Sequence, residues 1–335
     1  MIFANCGFDK YKDIFIFGFP MSMVTTLQAL KAAAEETRLR LLTLLEGGEA
    51  SVGELVVVLQ QSQPRVSRHL KLLVEAGLVE NFRDRHHVYY RLASNPELRP
   101  FLNEVLAGMH GDVRVDEDQQ RLAEVRQARE KDAYRRIDPR QASVEAFRPR
   151  AEEADIFTAL DDALEATDIG DLLNVKAAKG NLLMHLALRS ASATGVDRSQ
   201  AMRLLARTKV QEAGLAKCTL RNVDGATLPF AKDSFDTVLL NEALSREGNK
   251  SEALAEAARV LRRDGRLLIL DWIQPVSLRN TGEVKQSGGL AENQLRTLLA
   301  EQGLVVSQRE WLPGKSPDYA LFTVVSQAAQ QVSVG

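Results

Sequence analysis

The sequence predicts an α/β protein built from two domains, a small helix-rich one followed by a larger one with a parallel sheet. The chain has 335 residues, which is more than a single hydrophobic core usually fills. Residues 25–92 show short helical patterns followed by two strand patterns, whereas from residue 171 short apolar runs alternate with helical segments. Strands separated by helices are typical of parallel sheets.

The composition limits the kinds of protein that this chain can be. The formal net charge is −2, so a uniformly basic nucleic-acid coat is excluded and any DNA-binding surface must be a local patch. The two cysteines, Cys6 and Cys218, exclude a disulfide framework or a thiolate metal cluster and favour the reducing cytoplasm. No apolar run approaches the roughly 18 residues that a membrane span needs, so no membrane partner is expected.

Neither end of the chain is expected to belong to a folded domain. The apolar run Ile14–Phe17 is flanked by charged residues, which makes it too short and too charged for a secretory signal. Residues 1–20 are therefore expected to be either a disordered arm or an artefact of start-site choice, with Met21 or Met23 as the first residue. Residues 327–335 are expected to form a disordered tail.

The first domain is predicted at residues 21–111, and its element order is that of a winged helix-turn-helix. Ser51 and Ser62 stand where they can cap the third and fourth helices, and Pro64 suits a first helical turn. The predicted segments are a helix around Leu27 and Leu30, a helix around Leu39, Leu42 and Leu45, a helix at Val52–Leu59, a helix from Ser62 to Gly77, and strands at Leu78–Phe82 and Val88–Leu92.

The fourth helix carries the sharpest functional signal, because its apolar residues share one face and leave polar groups outside. Arginine can form two hydrogen bonds with guanine, glutamine can do the same with adenine, and serine or lysine can hold phosphates. Residues 63–91 hold six Lys or Arg against three acids; a solvated charged helix is the alternative interpretation. The candidate DNA-binding residues are Gln63, Arg65, Ser67, Arg68, His69 and Lys71 on the helix and Arg83, Arg85, His86 and His87 at the hairpin tip.

An apolar stripe follows the hairpin and predicts self-association. Its members recur at helical spacing, and we expect them to pack against a second subunit together with the first helix; the alternative is that they close the domain's own core. The stripe consists of Leu98, Phe101, Leu102, Val105, Leu106 and Met109. Residues 112–170 are expected to be a helical linker, with an exposed helix over residues 116–136.

The run QSQPRVSRHLKLLVEAGLVENFRDRHHVYYRL resembles the recognition helix and wing of the ArsR/SmtB family of regulators. The resemblance covers roughly residues 24–110. It implies a homodimer whose two fourth helices enter successive major grooves of an inverted-repeat operator, with half-sites about 10–10.5 bp apart.

The sequence departs from the family at its metal-sensing positions. Metal-sensing members carry a cysteine pair in a stretch similar to ELCVCDL, where this chain has EASVGEL with Ser51 and Gly53. The helix after the wing offers only His110, which cannot form a site alone. No metal-binding residue is therefore assigned.

The second half, residues 171–326, resembles the class I S-adenosylmethionine (SAM) methyltransferases. The matching pieces are ATGVDRSQAM, VDGATLPFAKDSFDTVLLNEAL, EAARVLRRDGRLLILDW and LRTLLAEQGLVV, in the order of the family. The resemblance implies a Rossmann-like fold. Regulators that join these two halves form a recognisable group.

The cofactor loop departs from the family pattern D-x-G-x-G-x-G. The corresponding stretch runs from Asn174 to Gly180 and keeps only the last glycine. Glycines there adopt backbone angles closed to other residues and let a cofactor approach the main chain. Lys176 and Ala178 would fill that space, and Lys176 and Lys179 would oppose the cationic groups of SAM.

The resemblance still leaves candidate pocket residues. It places Asp197 where the family holds ribose hydroxyls and Asp224 near the adenine, although both can equally be ordinary loop carboxylates. The candidates, in a degenerate pocket, are Asn174, Lys176, Ala178, Gly180, Asp197 and Asp224. No catalytic residue is assigned, and no cofactor is expected, with SAM or S-adenosylhomocysteine kept as the alternative.

Together these features predict a sequence-specific regulator of transcription, with a repressor favoured over an activator. Its partners would be double-stranded DNA, a second copy of itself and a small-molecule effector. The methyltransferase-like domain is expected to be a ligand sensor or a structural support; Lys176 and Lys179 suggest an anionic or nucleotide-like ligand unless they are simply solvated. The rival interpretation is an active SAM-dependent methyltransferase that carries a DNA-binding module.

Overall fold

The computed structural model describes residues 22–137, 151–164, 168–223, 227–244, 249–274, 290–312 and 319–327. The chain divides into two units between Val125 and Arg126, and each is described by itself. The expectations for residues 1–20 and for the tail beyond Gln327 lie outside the described residues.

The first unit has the predicted order of helices followed by a hairpin, which confirms the winged helix-turn-helix. Its three-stranded antiparallel sheet has the order β1-β3-β2. The elements are α1 (Met23–Ala33), α2 (Glu36–Glu46), β1 (Ala50–Ser51), α3 (Val52–Leu59), α4 (Gln63–Glu75), β2 (Val79–Asp84), β3 (His87–Leu92) and α5 (Arg99–Ala107).

The two predicted serine caps turn out differently. Ser51 forms a capping box: its Oγ accepts from the Glu54 backbone N–H at 3.3 Å, while Glu54 Oε2 accepts from the Ser51 N–H at 2.7 Å. Ser62 does occupy the N-cap of α4, with Pro64 in the first turn, but within the described part of the chain its side chain makes no capping hydrogen bond.

The apolar stripe around α5 serves two purposes. Three of its members, Leu98, Leu102 and Leu106, are buried in the core of their own unit, so the expectation that the whole stripe packs on another subunit is wrong for them. The other three, Phe101, Val105 and Met109, are partly exposed. Helix α1 carries an exposed apolar set of Met23, Val24, Leu27 and Leu30, each 47% to 78% exposed.

Helix α6 (Val113–Arg135) occupies most of the segment expected as an exposed helix over residues 116–136. The helix is present, but its expected exposure is wrong on one side, where Leu122 and Ala133 are buried. Asp118 is also fully buried, and its carboxylate accepts hydrogen bonds from Arg40 at 2.6 Å and Arg121 at 2.6 Å. A buried carboxylate that accepts hydrogen bonds from two arginines is not expected in a solvated linker.

The second unit is built on a mostly parallel sheet with the strand order β10-β11-β8-β7-β4-β5-β6. Strands β4 to β8 pair in parallel, while β11 runs antiparallel to β8 and β10 antiparallel to β11, as the apolar runs and the closing strands predict. The elements are α7 (Glu153–Leu164), β4 (Asp171–Val175), α8 (Asn181–Ala187), β5 (Ser192–Asp197), α9 (Gln200–Glu212), β6 (Cys218–Asn222), β7 (Phe235–Asn241), α10 (Lys250–Val260), β8 (Leu261–Gln274), β9 (Leu290–Ala291), α11 (Glu292–Glu301), β10 (Leu304–Trp311) and β11 (Tyr319–Ser326).

Apolar cores cover both faces of this sheet, as parallel strands require. Helix α7 contributes Ile156, Ala159 and Leu160 to one of them, so residues 153–164, expected in the linker, pack with the second unit. The strand order reverses between β4 and β7, and ligands of such sheets bind beyond the carboxyl ends of the strands at that point. Among the described residues, no helix is long and apolar enough to cross a membrane.

Candidate functional sites

Helix α4 presents polar side chains on the side that its own unit leaves uncovered. Val66, Leu70 and Leu73 are fully buried and fix the helix. The exposed members of the predicted set are Gln63, Arg65, Arg68 and Lys71, and Ser67 is half-buried. Lys71 Nζ lies 3.7 Å from Glu75 Oε1, but both side chains are more than half exposed, so water screens this pair.

His69 departs from the predicted DNA-binding set. Its side chain is only 14% exposed, and its Nδ1 lies 3.4 Å from Oε2 of Glu35, the residue that caps α2 by accepting from the Arg38 N–H. The imidazole therefore faces its own unit. Sequence periodicity could not show this, because position 69 lies at the border of the buried face.

The hairpin tip carries the second group of predicted residues. Asp84 pairs with His87, which leaves Arg85 and His86 as a two-residue turn. Arg83, Arg85, His86 and His87 are all exposed. Arg85 has a φ of 55°, a backbone conformation that hairpin turns favour but that suits glycine or asparagine better than arginine.

The family's metal-sensing positions have structural roles in this unit. Ser51 belongs to the capping box of α3, and His110 Nε2 lies 3.1 Å from Glu46 Oε2. Within the described ranges, no three His, Cys, Asp or Glu side chains form a group that could hold a metal ion.

The second unit has a cavity of about 320 Å³ beyond the carboxyl ends of β4 and β7. Both apolar side chains and charged or amide groups line it. The lining residues are Ala151, Glu153, Ile156, Lys176, Ala177, Ala178, Lys179, Asn181, Leu182, Met202, Asn241, Glu242 and Tyr319. Of the predicted pocket residues that the structure describes, only Lys176 and Ala178 are among them. Met202 is the last residue of the matching piece ATGVDRSQAM, but nothing in that piece identifies it as a pocket residue, and Tyr319 belongs to no motif.

The loop after β4 keeps the backbone of a glycine-rich loop with only one of its three glycines. Lys176 has a φ of 61°, Ala178 of 49° and Gly180 of 84°. Such angles cost a residue with a side chain roughly 1–3 kcal/mol. At Gly180 a Cβ would also lie 3.0 Å from the Cβ of Ala206. The loop is therefore strained at two of the three positions where the family pattern has glycine.

Lys176 is held by an acidic partner that also lines the cavity. Its Nζ donates to the backbone carbonyl oxygen of Glu242 at 3.1 Å and lies 3.5 Å from Glu242 Oε2. Tyr319 Oη donates to Glu242 Oε1 at 3.4 Å, and Asn241 Nδ2 donates to the Lys176 carbonyl at 3.2 Å. Lys179 is exposed, whereas Lys176 lines the cavity but is already paired with Glu242.

Asp197 is bonded to backbone groups rather than turned to the cavity. Its Oδ2 accepts from the Ala178 N–H at 2.9 Å and its Oδ1 from the Ser199 N–H at 2.8 Å. Burial raises the pKa of this carboxyl, and the two N–H donors only partly offset the effect. Asn174 is fully buried, and its amide atoms have no hydrogen-bond partner among the described residues. Asp224 lies outside the described residues.

Comparison with known proteins identifies both halves. Residues 35–81 match the family of bacterial regulatory proteins named arsR, and residues 173–269 match a methyltransferase domain. The arsenic resistance transcriptional regulator ArsR2 of Pseudomonas putida is 41% identical over 85 residues, which are 25% of this chain and 72% of that protein. The arsenical resistance operon repressor of Escherichia coli is 46% identical over 74 residues, 22% of this chain and 63% of that protein.

The second half has its own relatives. The ubiquinone/menaquinone biosynthesis C-methyltransferase UbiE of Geotalea daltonii is 32% identical over 110 residues, 32% of this chain and 47% of that protein, so the chain spans less than half of that relative. The structure of magnesium protoporphyrin IX methyltransferase from Synechocystis, solved with bound S-adenosylhomocysteine, is 22% identical at a TM-score of 0.43 and covers 51% of this chain and 82% of that one. The chain belongs to the arsR family of bacterial regulatory proteins and carries a class I methyltransferase domain after its winged helix.

Proposed function

We propose that this chain is a cytoplasmic, homodimeric transcriptional repressor that binds an inverted-repeat operator, and that its methyltransferase domain is a ligand sensor or structural support. The observation that carries the proposal is the exposed set on α4, Gln63, Arg65, Arg68 and Lys71, on a helix whose opposite side is fully buried. A fixed helix with an outward basic and amide face suits the major groove.

The side chains of this face fall into two groups: those that would position the protein on the DNA backbone and those that would recognise the base sequence. Lys71 and the hairpin residues Arg83 and Arg85 are suited to phosphates, which supply affinity that is independent of sequence. Gln63, Arg65 and Arg68 can form paired hydrogen bonds with base edges, each worth roughly 1–3 kcal/mol of discrimination. His69 is left out, because it faces Glu35.

The partly exposed apolar residues support the homodimer. Leu27 and Leu30 of α1 and Phe101, Val105 and Met109 around α5 are apolar groups that their own unit leaves uncovered. Contiguous exposed apolar surface usually marks an association site. A symmetric pair would present two α4 helices to half-sites about one DNA turn apart.

The relatives' names refer to arsenic resistance, but we do not transfer that signal to this chain. Ser51 and Gly53 replace the family's cysteine pair, and Ser51 caps α3. Neither residue offers a thiolate, which is the ligand that a soft metalloid ion prefers.

We propose that the second unit does not catalyse methyl transfer, because the groups around its cavity do not suit SAM. SAM carries two positive groups against one carboxylate, and the cavity already contains Lys176 paired with Glu242. Asp197, the candidate for ribose, is bonded to Ala178 and Ser199 and does not belong to the cavity lining among the described residues. These residues do not fit SAM, and no step through it is derived.

DNA binding is tested by a mobility-shift and footprinting series with the full chain on the fragment upstream of its own gene. The matched control is a shuffled fragment of equal length and composition. We expect a protected region with two half-sites on the same face of the duplex. Equal affinity for both fragments would remove sequence-specific binding from the proposal.

Calorimetry distinguishes the proposed sensor or support role from the alternative of an active methyltransferase. The similarity to methyltransferases favours that alternative. We expect no measurable heat when SAM or S-adenosylhomocysteine is titrated into the full chain. A dissociation constant in the micromolar range or below would establish the enzyme alternative and leave the DNA-binding half untouched.

A further inference from the structure

We propose that Lys176 acts as a built-in cation that occupies the Glu242 subsite, so that the cavity selects against positively charged ligands. The inference deepens the proposed sensor or support role of this domain and rests on it. It assigns a specificity-determining residue and a class of ligand, uncharged or anionic small molecules, to the cavity.

Glu242 is a buried carboxylate that needs a nearby positive charge to compensate for its loss of solvation. Its side chain is only 5% exposed, yet it lines the cavity. A carboxylate so far removed from water is unfavourable unless an opposite charge and hydrogen bonds compensate for it. Tyr319 supplies a hydrogen bond from β11, but a phenol carries no charge.

Lys176 supplies that charge. Its Nζ contacts both the carbonyl and the carboxylate of Glu242, and its side chain remains 25% exposed. The ammonium therefore lies at the cavity surface, where a ligand's cation would otherwise lie. The backbone at Lys176 is in the left-handed region, and Asn241 holds its carbonyl, so the lysine is fixed in this orientation.

The consequence for a ligand follows from charge balance. A cationic molecule that enters would place like charge beside Lys176 and would have to displace it from Glu242. A neutral or anionic molecule meets a pair that is already neutralised, with the exposed Lys179 at the same wall. The same pair would oppose the two positive groups of SAM.

Chemical rescue tests the proposal in the full chain. Lys176→Ala keeps the Cβ and therefore the same restriction on the backbone. It removes the three outer methylenes and the ammonium, and n-propylammonium reproduces that fragment. We expect a melting temperature several degrees below the wild type, raised again by millimolar propylammonium but not by propan-1-ol at the same ionic strength. Lys179→Ala, the exposed neighbour, is the control and should respond to neither compound.

Three results would overturn the inference: an unchanged melting temperature in Lys176→Ala, no response to propylammonium, or an equal response to propan-1-ol. If Lys176→Ala does not fold, the pair Lys176→Met and Glu242→Gln removes both charges together. That double variant should fold and ignore propylammonium, and a response from it would contradict the proposal equally. SAM binding by the wild type would contradict both this inference and the proposed non-catalytic role, whereas failure of the rescue alone would contradict only this inference, so the two failures are distinguishable.

Discussion

The Nδ1 atom of His69 lies 3.4 Å from Oε2 of Glu35, and this contact joins helix α4 to the N-terminus of α2. Glu35 also accepts from the Arg38 N–H at 2.9 Å. The histidine therefore contributes to where α4 lies, whereas the neighbouring Arg65 and Arg68 are exposed.

His69→Ala is expected to destabilise the chain by about 1 kcal/mol, since it removes a largely buried side chain and its partner for Glu35. The salt dependence of DNA binding should stay unchanged, because no phosphate contact is lost. Urea unfolding and DNA titrations at several salt concentrations measure the two effects. A weaker salt dependence with unchanged stability would place His69 on the DNA instead.

The two serine caps should differ in their effect on stability. Ser51→Ala removes a reciprocal capping box and is expected to cost about 1 kcal/mol. Ser62→Ala, at an N-cap without a side-chain bond in the described structure, should cost clearly less. Chemical denaturation of the full chain followed by circular dichroism compares them. Equal losses would mean that the capping box adds nothing.

Strain in the loop after β4 predicts that glycine substitutions at two adjacent positions affect stability differently. Ala178→Gly removes a Cβ at a φ of 49° and should leave stability unchanged or raise it by up to about 1 kcal/mol. Ala177→Gly, at a buried neighbour outside the left-handed region, should lower stability by about 1 kcal/mol. Thermal unfolding of both variants is the measurement, and a larger loss for Ala178→Gly would refute the strain.

Glu256 should make stability depend on pH. Its hydrogen bond from Arg259 lowers the pKa of this carboxyl below 4.5, with burial opposing and the Leu228 N–H assisting. A lowered pKa in the folded state stabilises the fold above the unfolded value and loses that effect as pH falls through the folded value. The stability gap between the wild type and Glu256→Gln should therefore close below about pH 4.5. A gap of constant size down to acid pH would argue against this origin.

Features set by neighbouring residues could be predicted from the sequence. The buried side of α4 follows from the spacing of Val66, Leu70 and Leu73, and the strain at Lys176 and Ala178 follows from the missing glycines. Periodicity and backbone sterics act over a few residues, so one short stretch contains the whole cause.

Features that depend on packing between distant segments could not be predicted. The Lys176–Glu242 pair joins positions that come together only because β4 and β7 are neighbours in the sheet. Tyr319 reaches the same cavity from a closing strand. The burial of Leu98, Leu102 and Leu106 likewise depends on helices that no local pattern positions.

The DNA-reading role of α4 is tested most directly by the affinity of the double variant Arg65→Ala and Arg68→Ala for the operator and for the shuffled fragment. Arg114→Ala is the matched control, since Arg114 is an exposed arginine on α6 that donates to Glu36. We expect the double variant to bind the operator at least about 10-fold more weakly and to lose most of its preference over the shuffled fragment, because each lost pair of hydrogen bonds removes roughly 1–3 kcal/mol of discrimination. Wild-type affinity with an unchanged preference for the operator would contradict the assignment of α4 as the DNA-reading helix.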